Sequence, residues 1–303
     1  MREFDLIRWI RQRAARDERV VVGIGDDAAV VRSPDAPLLF STDILLDGVH
    51  FDLAEATPRQ VGWKALACSV SDIAAMGGRS TLAVVSAALP AAFSEAHAHE
   101  LVLGILDCAD EFGVRLVGGD VAATRGPLAV SVAILGEAVR EPVLRSGAKV
   151  GDAIMVTGEL GGSRLGKHLT FRPRQDEAVA LAKACNLHAM IDISDGLARD
   201  LHHILEESGV GARVFADALP VSDDARRAAQ ASGRKPLDHA LGDGEDYELL
   251  LTLAPEEAER LLASPPFPTR LSRIGQITAS AALLEFKDGS TVALEPKGWE
   301  HTT

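Results

Sequence analysis

Cysteine is scarce in this chain: Cys68, Cys108 and Cys185 stand far apart, with no Cys-x-x-Cys. That spacing argues against structural zinc and for a reducing compartment. Basic residues are outnumbered, 31 Lys and Arg against 44 Asp and Glu, for a net charge of −13. With no basic stripe to track a phosphate backbone, nucleic acid is a poor partner. No run of 18 apolar residues occurs, and Met1-Arg2-Glu3-Phe4-Asp5 is charged where a signal peptide would be apolar. No membrane partner is expected, and the expectation is a soluble, cytoplasmic protein. Low-complexity segments and short repeats are absent, as is any Ser-His-Asp or Cys-His arrangement. Catalysis by a covalent nucleophile or general base is therefore not expected.

What is present is length and apolar content enough for two domains, 303 residues at 47% hydrophobic. The stretch Gly23-Ile24-Gly25-Asp26-Asp27-Ala28 follows an apolar run, and Ser41-Thr42-Asp43 follows another. Glycine lets a backbone approach a ligand closely, and each acid then sits at a strand end. Gly-x-Gly-x-x-Ala imitates a dinucleotide fingerprint, but Val30, Val31 and Pro34 read as strand and turn rather than helix. Two carboxylates would repel a bare pyrophosphate; with Mg²⁺ between them repulsion becomes coordination.

Periodicity predicts a helix over 3–16 and strands at 20–24, 28–32, 37–42 and 44–51. A helix capped by Thr57 with Pro58 at its first position runs over 58–76 and stops at Gly77-Gly78. Strand 81–89, a Ser94-capped helix to Phe112, and a strand at 114–117 closed by Gly118-Gly119-Asp120 come next. Strand 128–139 ends the first unit. The fold class is α/β of α+β type in two domains, 1–140 and 150–303, joined by a Gly-, Pro- and charge-rich linker at 141–149. The second unit carries strands near 153–157, 190–193, 214–216, 247–253 and 271–277. Its helices lie near 175–184, 196–208, 222–231 and 255–263, and an Asp-Gly hairpin spans 283–294.

Acids recur where strands end or helices begin. Asp72, in Ser71-Asp72-Ile73-Ala74-Ala75-Met76, lies inside an apolar helix. Buried, it needs a cation or donors; at the edge of the stripe it faces water, and both readings stay open. Asp192-Ile193-Ser194-Asp195-Gly196 places two acids around a hydroxyl at a helix start, where capping and metal binding are compatible. Asp120 repeats the pattern. Taken together, these segments favour a nucleotide site with several Mg²⁺ ions. Gly161-Gly162-Ser163-Arg164-Leu165-Gly166-Lys167-His168 nearly fits the Gly-x₄-Gly-Lys-Ser/Thr phosphate loop, but His168 stands where a hydroxyl is required. His202-His203 and His97-x-His99 lack the i, i+4 spacing of helical ligands and read as surface or core histidines.

In this order, with Asp47-Gly48-Val49-His50-Phe51, Arg145-Ser146-Gly147-Ala148, Gly244-Glu245-Asp246-Tyr247-Glu248-Leu249 and Lys297-Gly298-Trp299, the motifs resemble the thiamine-monophosphate kinases. Those enzymes belong to the superfamily of aminoimidazole-ribonucleotide synthetase. The resemblance implies ATP-dependent phosphorylation of thiamine monophosphate to thiamine diphosphate with release of ADP. It implies metal roles for Asp27, Ser41, Thr42 and Asp43, and for Asp72, Asp120, Asp192 and Asp195. ATP contacts are implied at Gly119, Asp120, Arg145 and Ser194, and thiamine-phosphate contacts at His50, Glu245 and Trp299. Several Mg²⁺ ions and ATP as co-substrate follow from it, K⁺ is left open, and a homodimer is implied whose N-terminal sheets join into a barrel. The selenophosphate and hydrogenase-maturation relatives fit less well, because their reactive cysteines have no counterpart here. Two departures stand out: a short 166–192 segment, expected to leave a cleft-covering helix reduced, and Asp243 where glycine is usual, expected to tolerate a left-handed turn. A sibling ATP-dependent ligase or phosphotransferase, or a silent nucleotide-binding regulator, remain the alternatives; residues and spacing alone reach only a Mg²⁺-nucleotide enzyme.

Overall fold

Helix α1 (Pro58–Ala75) is the element on which both halves of the chain close. Thr57, in extended conformation, accepts a hydrogen bond from the Gln60 backbone N–H, and the Gln60 side chain accepts one from the Thr57 N–H. This reciprocal cap with Pro58 behind it starts the helix as expected, and Gly77, at φ +71°, ends it. Val61, Leu66, Val70 and Ile73 are fully buried. Each such side chain contributes roughly 1.5–3 kcal/mol on burial. Buried residues lie all round the helix rather than along one stripe.

The computed structural model describes residues 20–22, 29–32 and 37–300. The expected helix over 3–16 and the loop 23–28, with Asp26 and Asp27, lie outside the described residues. A six-stranded sheet runs in the order β1-β2-β3-β6-β4-β5. Its strands are β1 (Val20–Val22), β2 (Ala29–Arg32), β3 (Pro37–Leu46), β4 (Gly78–Pro90), β5 (Arg115–Thr124) and β6 (Ala129–Ala138). Every pairing is antiparallel except β4 with β5. One face packs on α1 and on α2 (Glu95–Phe112). Among the described residues nothing covers the other face, which shows Phe40, Ile44, Leu82 and Val84.

The second sheet has seven strands in the order β13-β12-β9-β11-β7-β10-β8. They are β7 (Ala153–Thr157), β8 (Leu187–Asp192), β9 (Gly211–Phe215), β10 (Leu249–Leu253), β11 (Leu271–Thr278), β12 (Ala282–Glu285) and β13 (Thr291–Ala293). After the four-residue α3 (Lys167–Thr170), α4 (Gln175–Ala184) and α8 (Pro255–Ala263) contribute to one hydrophobic core of this half. Helices α5 (Leu197–Ser208) and α7 (Pro236–Gly242) contribute to the other, and α6 (Asp223–Ser232) completes the set. With a core on each side, the short apolar strands β7 and β10 are buried throughout. The first-sheet core also takes in Leu169, Phe171 and Tyr247 from the second half.

Several sequence expectations change. The Gly118-Gly119-Asp120 turn is not a turn: β5 runs through it. A Cβ on Gly119 would lie 2.0 Å from the Val85 carbonyl oxygen, so the glycine permits a close β4–β5 approach. Of the two strands expected over 37–51, one forms, β3 over 37–46, and 48–50 are a turn. Asp243 is right-handed (φ −72°, ψ −33°); Gly244, at φ +73°, makes the left-handed step instead. Helix α7 went unpredicted, since seven residues are too few for a legible period.

Helices α1 and α2 cross at paired glycines. A Cβ on Gly62 would lie 2.0 Å from Leu101 O, and one on Gly104 1.9 Å from Arg59 O. Glycine to alanine in a helix gains up to ~1 kcal/mol of propensity, but overpacking against backbone costs about 1–3 kcal/mol. We therefore expect Gly62→Ala and Gly104→Ala each to lower the urea midpoint without changing the slope; an unchanged or raised midpoint would show that the helices have room to separate.

Candidate functional site

At 3.6 residues per turn, Lys64, Cys68 and Ser71 share one side of α1, with Asp72 and Ser69 progressively further round. The first group reaches the second half of the chain. Lys64 Nζ is ion-paired with Glu245 Oε1 and donates to the His50 carbonyl oxygen (2.6 Å). The Cys68 thiol donates to the Tyr247 hydroxyl (3.1 Å), and Ser71 Oγ to Asp192 Oδ2 (2.5 Å). The others reach β3: Ser69 Oγ donates to Asp43 Oδ2 (2.5 Å), and Asp72 Oδ2 accepts from Ser41 Oγ (2.6 Å). Two turns of one helix thus gather acids from β3, from α1 itself and from the end of β8. Asp72 is half-buried and accepts from Ser41, between the two readings left open for it: partly exposed, yet supplied with a donor.

Beyond β8, Asp195 and Gly196 donate their backbone N–H groups to Asp200 Oδ2 (3.1 and 3.0 Å). Asp195, Asp200 and His203 offer ligand atoms all within 4.8 Å of one another. Burial, and then the like charges of Asp195 and Asp192, push the Asp200 carboxyl well above its usual range; Arg145 opposes them. The carboxylates and hydroxyls gathered here are the donor set of a hard divalent cation, and negative charge crowded around Asp200 is what such a cation offsets. Asp200 was not singled out from the sequence. His203 was set aside because no histidine stood four residues from it; its partner on the helix is Asp200, three residues earlier, and Asp195 joins them from the segment beyond β8.

The proposed ligands do not all converge. Strand register aligns Asp43 with Val132, Val85 and Gly119, whereas Asp120 aligns with Ser86, Ser131 and Ile44 in the next row. Alternation therefore sends Asp120 to the uncovered face. There Thr42 is exposed too, its hydroxyl donating to Val132 O (2.9 Å). Ser41, Asp43, Asp72 and Asp192 form the inner group, Asp195 adjoins it, Thr42 and Asp120 form an outer one, and Asp27 lies outside the described residues.

Residues 244–248 make the opposite wall. Glu245 (φ +57°) and Tyr247 (φ +50°) are left-handed, a strain of about 1–3 kcal/mol each. Their N–H groups are held by Ser194 O (2.7 Å) and Ile193 O (2.8 Å). Glu245 and Tyr247 face α1, while Asp246 and Glu248 face the other way. Asp246 accepts from Gly161 N–H (2.9 Å) and Ser163 Oγ (2.5 Å). Glu248 is gripped by Thr157, Lys167 and Arg174. Burial would raise the Glu248 carboxyl, but Arg174 and Lys167 hold it below its ordinary value. The lysine of the near-miss phosphate loop is thus spent on Glu248.

Trp299 is held by its backbone N–H, which donates to Asp195 O (2.9 Å), and a Cβ on Gly298 would lie 2.4 Å from that same oxygen. The Arg164 guanidinium lies 5.6 Å from the Trp299 ring centre, with its Nε 3.8 Å from Glu245 Oε2. His50 Nδ1 accepts from Leu46 N–H (3.0 Å). Lys64 therefore links His50 to Glu245, and Arg164 links Glu245 to Trp299. The three residues expected at one substrate come together. Cys68 and Tyr247 are pushed well up by burial, so both stay protonated and neither offers a nucleophile or base.

Residues 25–138 match the AIR synthase related protein family, N-terminal domain, and residues 146–283 its C-terminal domain. The thiamine-monophosphate kinase of Rhodopirellula baltica is 42% identical over 99% of this chain and 97% of its own. That of Aquifex aeolicus is 34% identical, with the same coverage. A solved structure of AaThiL complexed with AMPPCP and TMP superposes with a TM-score of 0.86 at 32% identity, covering 99% of this chain and 97% of that one.

Two outcomes follow from the buried charges. Lys64→Met leaves Glu245 without its cation and should destabilise by roughly 3–5 kcal/mol; Lys64→Met with Glu245→Gln should recover part of that loss, and equal losses in the single and double variants would deny the coupling. Burial lifts the Asp246 carboxyl to about 7. Its folded value lies above its unfolded one, so its contribution is full below pH ~4 and fades as pH rises through 7. Melting temperature should therefore fall less between pH 5.5 and 8 in Asp246→Asn than in the wild type.

Proposed function

The chain belongs to the thiamine-monophosphate kinase family, and from that membership we propose that it transfers the γ-phosphoryl group of ATP to thiamine monophosphate, giving thiamine diphosphate and ADP by direct in-line displacement. The observation that carries the reading is the gathering of Asp43, Asp72 and Asp192 around two turns of α1, beside the wall formed by His50, Glu245 and Trp299.

The acceptor is a phosphate whose second pKa is about 6, largely ionised at neutral pH. It needs no deprotonation, which agrees with the protonated state of Cys68 and Tyr247. Two polyanions must instead be aligned with their repulsion cancelled. Asp43, Asp72 and Asp192, oriented by Ser69, Ser41 and Ser71, would hold Mg²⁺ together with Asp27 and Asp195, whereas Thr42 and Asp120, on the other face of the sheet, stand apart from that group; bound Mg²⁺ supplies charge neutralisation. The exposed face of Trp299 and the Glu245 carboxylate suit a flat cationic ring such as the thiazolium of the acceptor. Gly119, Asp120, Arg145 and Ser194 are assigned to ATP. Replacing K⁺ by Na⁺ in the assay reads whether a monovalent ion contributes.

The same reading divides the chain at 141–149 and pairs two copies through the uncovered face of the first sheet. Phe40, Ile44, Leu82 and Val84 lie exposed there, near β5, which has no outer neighbour among the described residues, an apolar surface of the kind that marks an interface. Among the described residues no helix is long and apolar enough to cross a membrane; we assign the reaction to the cytoplasm.

Asp43→Asn and Asp72→Asn should fold normally by circular dichroism and lose roughly 100-fold or more of turnover, about 2.7 kcal/mol of transition-state stabilisation, in a coupled ADP assay with thiamine phosphate. Full activity of either variant at limiting Mg²⁺ would reject the metal role, and turnover of other phosphorylated acceptors in preference to thiamine phosphate would reject the substrate. Ile44→Glu should convert the dimer to monomer in sedimentation, since it places charge in the middle of that apolar face.

A further inference from the structure

The glycine-rich segment that imitates a phosphate loop serves another purpose. Its short 3₁₀ turn (Ser163–Leu165) is anchored at the base. Gly161 and Gly162 hold φ of +85° and +76°, and an added Cβ would meet the backbone of Ala240 at 2.7 Å and of Asp224 at 2.3 Å. Ser163 is fixed by its bond to buried Asp246. From this fixed base the Arg164 side chain, 57% exposed, reaches across to the face of Trp299 and the edge of Glu245. Glu245 has one carboxylate oxygen taken by Lys64; the other, Oε2, is buried and receives no hydrogen bond. The aromatic face and half-satisfied carboxylate assigned above to a cationic ring therefore already hold a planar cation, supplied by the chain itself.

We propose that Arg164 is an internal placeholder: its guanidinium occupies the position of the substrate's cationic ring on Trp299 and Glu245, and must leave when substrate binds. This rests on the function proposed above. A guanidinium is planar, permanently charged and weakly hydrated, so it stacks on an aromatic ring much as a heteroaromatic cation does. Between turnovers it shields a carboxylate that would otherwise face the empty site with one oxygen unpaired. On binding, substrate and diphosphate product, which carry the same ring, must both displace it.

Arg164→Ala should lower KM for thiamine phosphate about three- to tenfold, the size of a partly exposed cation–aromatic contact plus a weak ion pair. KM for ATP should stay unchanged, and the inhibition constant of thiamine diphosphate should fall by the same factor as KM. Arg164→Lys, which keeps the charge without the planar stack, should fall between. A KM for thiamine phosphate that rises or does not move would overturn the placeholder; a rise would mean that Arg164 holds the substrate's phosphate. A readout without substrate separates this proposal from the function it rests on. Caesium quenching of Trp299 fluorescence, isolated by difference from Trp299→Phe, should increase in Arg164→Ala. Increased quenching in a protein that does not phosphorylate thiamine phosphate would confirm that Arg164 covers Trp299 but overturn the function, and the placeholder with it; unchanged quenching in an active enzyme would overturn the placeholder alone.

Discussion

The buried ion pair between Lys64 and Glu245 is the constraint on which the rest depends. Lys64 is 1% exposed, on a helix whose buried residues are otherwise apolar or small. A lysine there is tolerable only if its charge is met, and Glu245, from the far half of the chain, meets it. The His50 carbonyl accepts a second hydrogen bond from the same ammonium. One side chain thereby registers α1 against the turn after β3 and against the 244–248 loop. Removing water from such a pair is expensive, and apolar residues of similar size would hold a plain core at least as well. Its use here is registry: it sets Ser69, Ser71 and Asp72 one to two turns further along the helix, opposite Asp43, Asp192 and Ser41.

The 244–248 loop performs the complementary task by alternation. Left-handed steps at Gly244, Glu245 and Tyr247 turn successive side chains to opposite sides. Glu245 and Tyr247 go to α1, and Asp246 and Glu248 go to the glycine-rich segment and α4. The strain of two non-glycine left-handed residues is offset by bonds on both sides, including the parallel stack of Tyr247 on Phe171 at 3.8 Å. Trp63 joins the same assembly by donating to Phe171 O (2.8 Å). The short 166–192 segment, where a reduced covering helix was expected, holds the four-residue α3 and then α4. Arg174, at the start of α4, forks onto Glu248 through Nε and Nη2 (2.6 and 2.7 Å).

Much of the secondary structure is legible from local chemistry. Thr57-Pro58 and Ser94 start their helices, Gly77 and Gly113 end them, and the Asp-Gly hairpin forms between β12 and β13. These features depend on neighbours within a few residues, which is the range over which capping and turn preferences act. Where the reading failed, a distant neighbour decided. Gly118-Gly119 looks like a turn and is strand, because Val85 on β4 leaves no space for a side chain at position 119.

The amino-acid order by itself pointed to the candidate residues: acids after strands, an apolar helix interrupted by Lys64 and Asp72, and an ordered set of motifs specific enough to indicate the family. It also argued against a covalent nucleophile and a nucleic-acid surface. Only the tertiary structure decided which of those acids meet. Asp43, Asp72 and Asp192 converge because α1 lies between the two sheets, whereas Thr42 and Asp120 fall on the opposite face because strand register alternates side chains. Arg164 joined the site only in three dimensions, since its significance comes from Trp299 and Glu245, each more than 80 residues away. A one-dimensional pattern records each residue's preference; which distant charges must share a buried space is settled by packing.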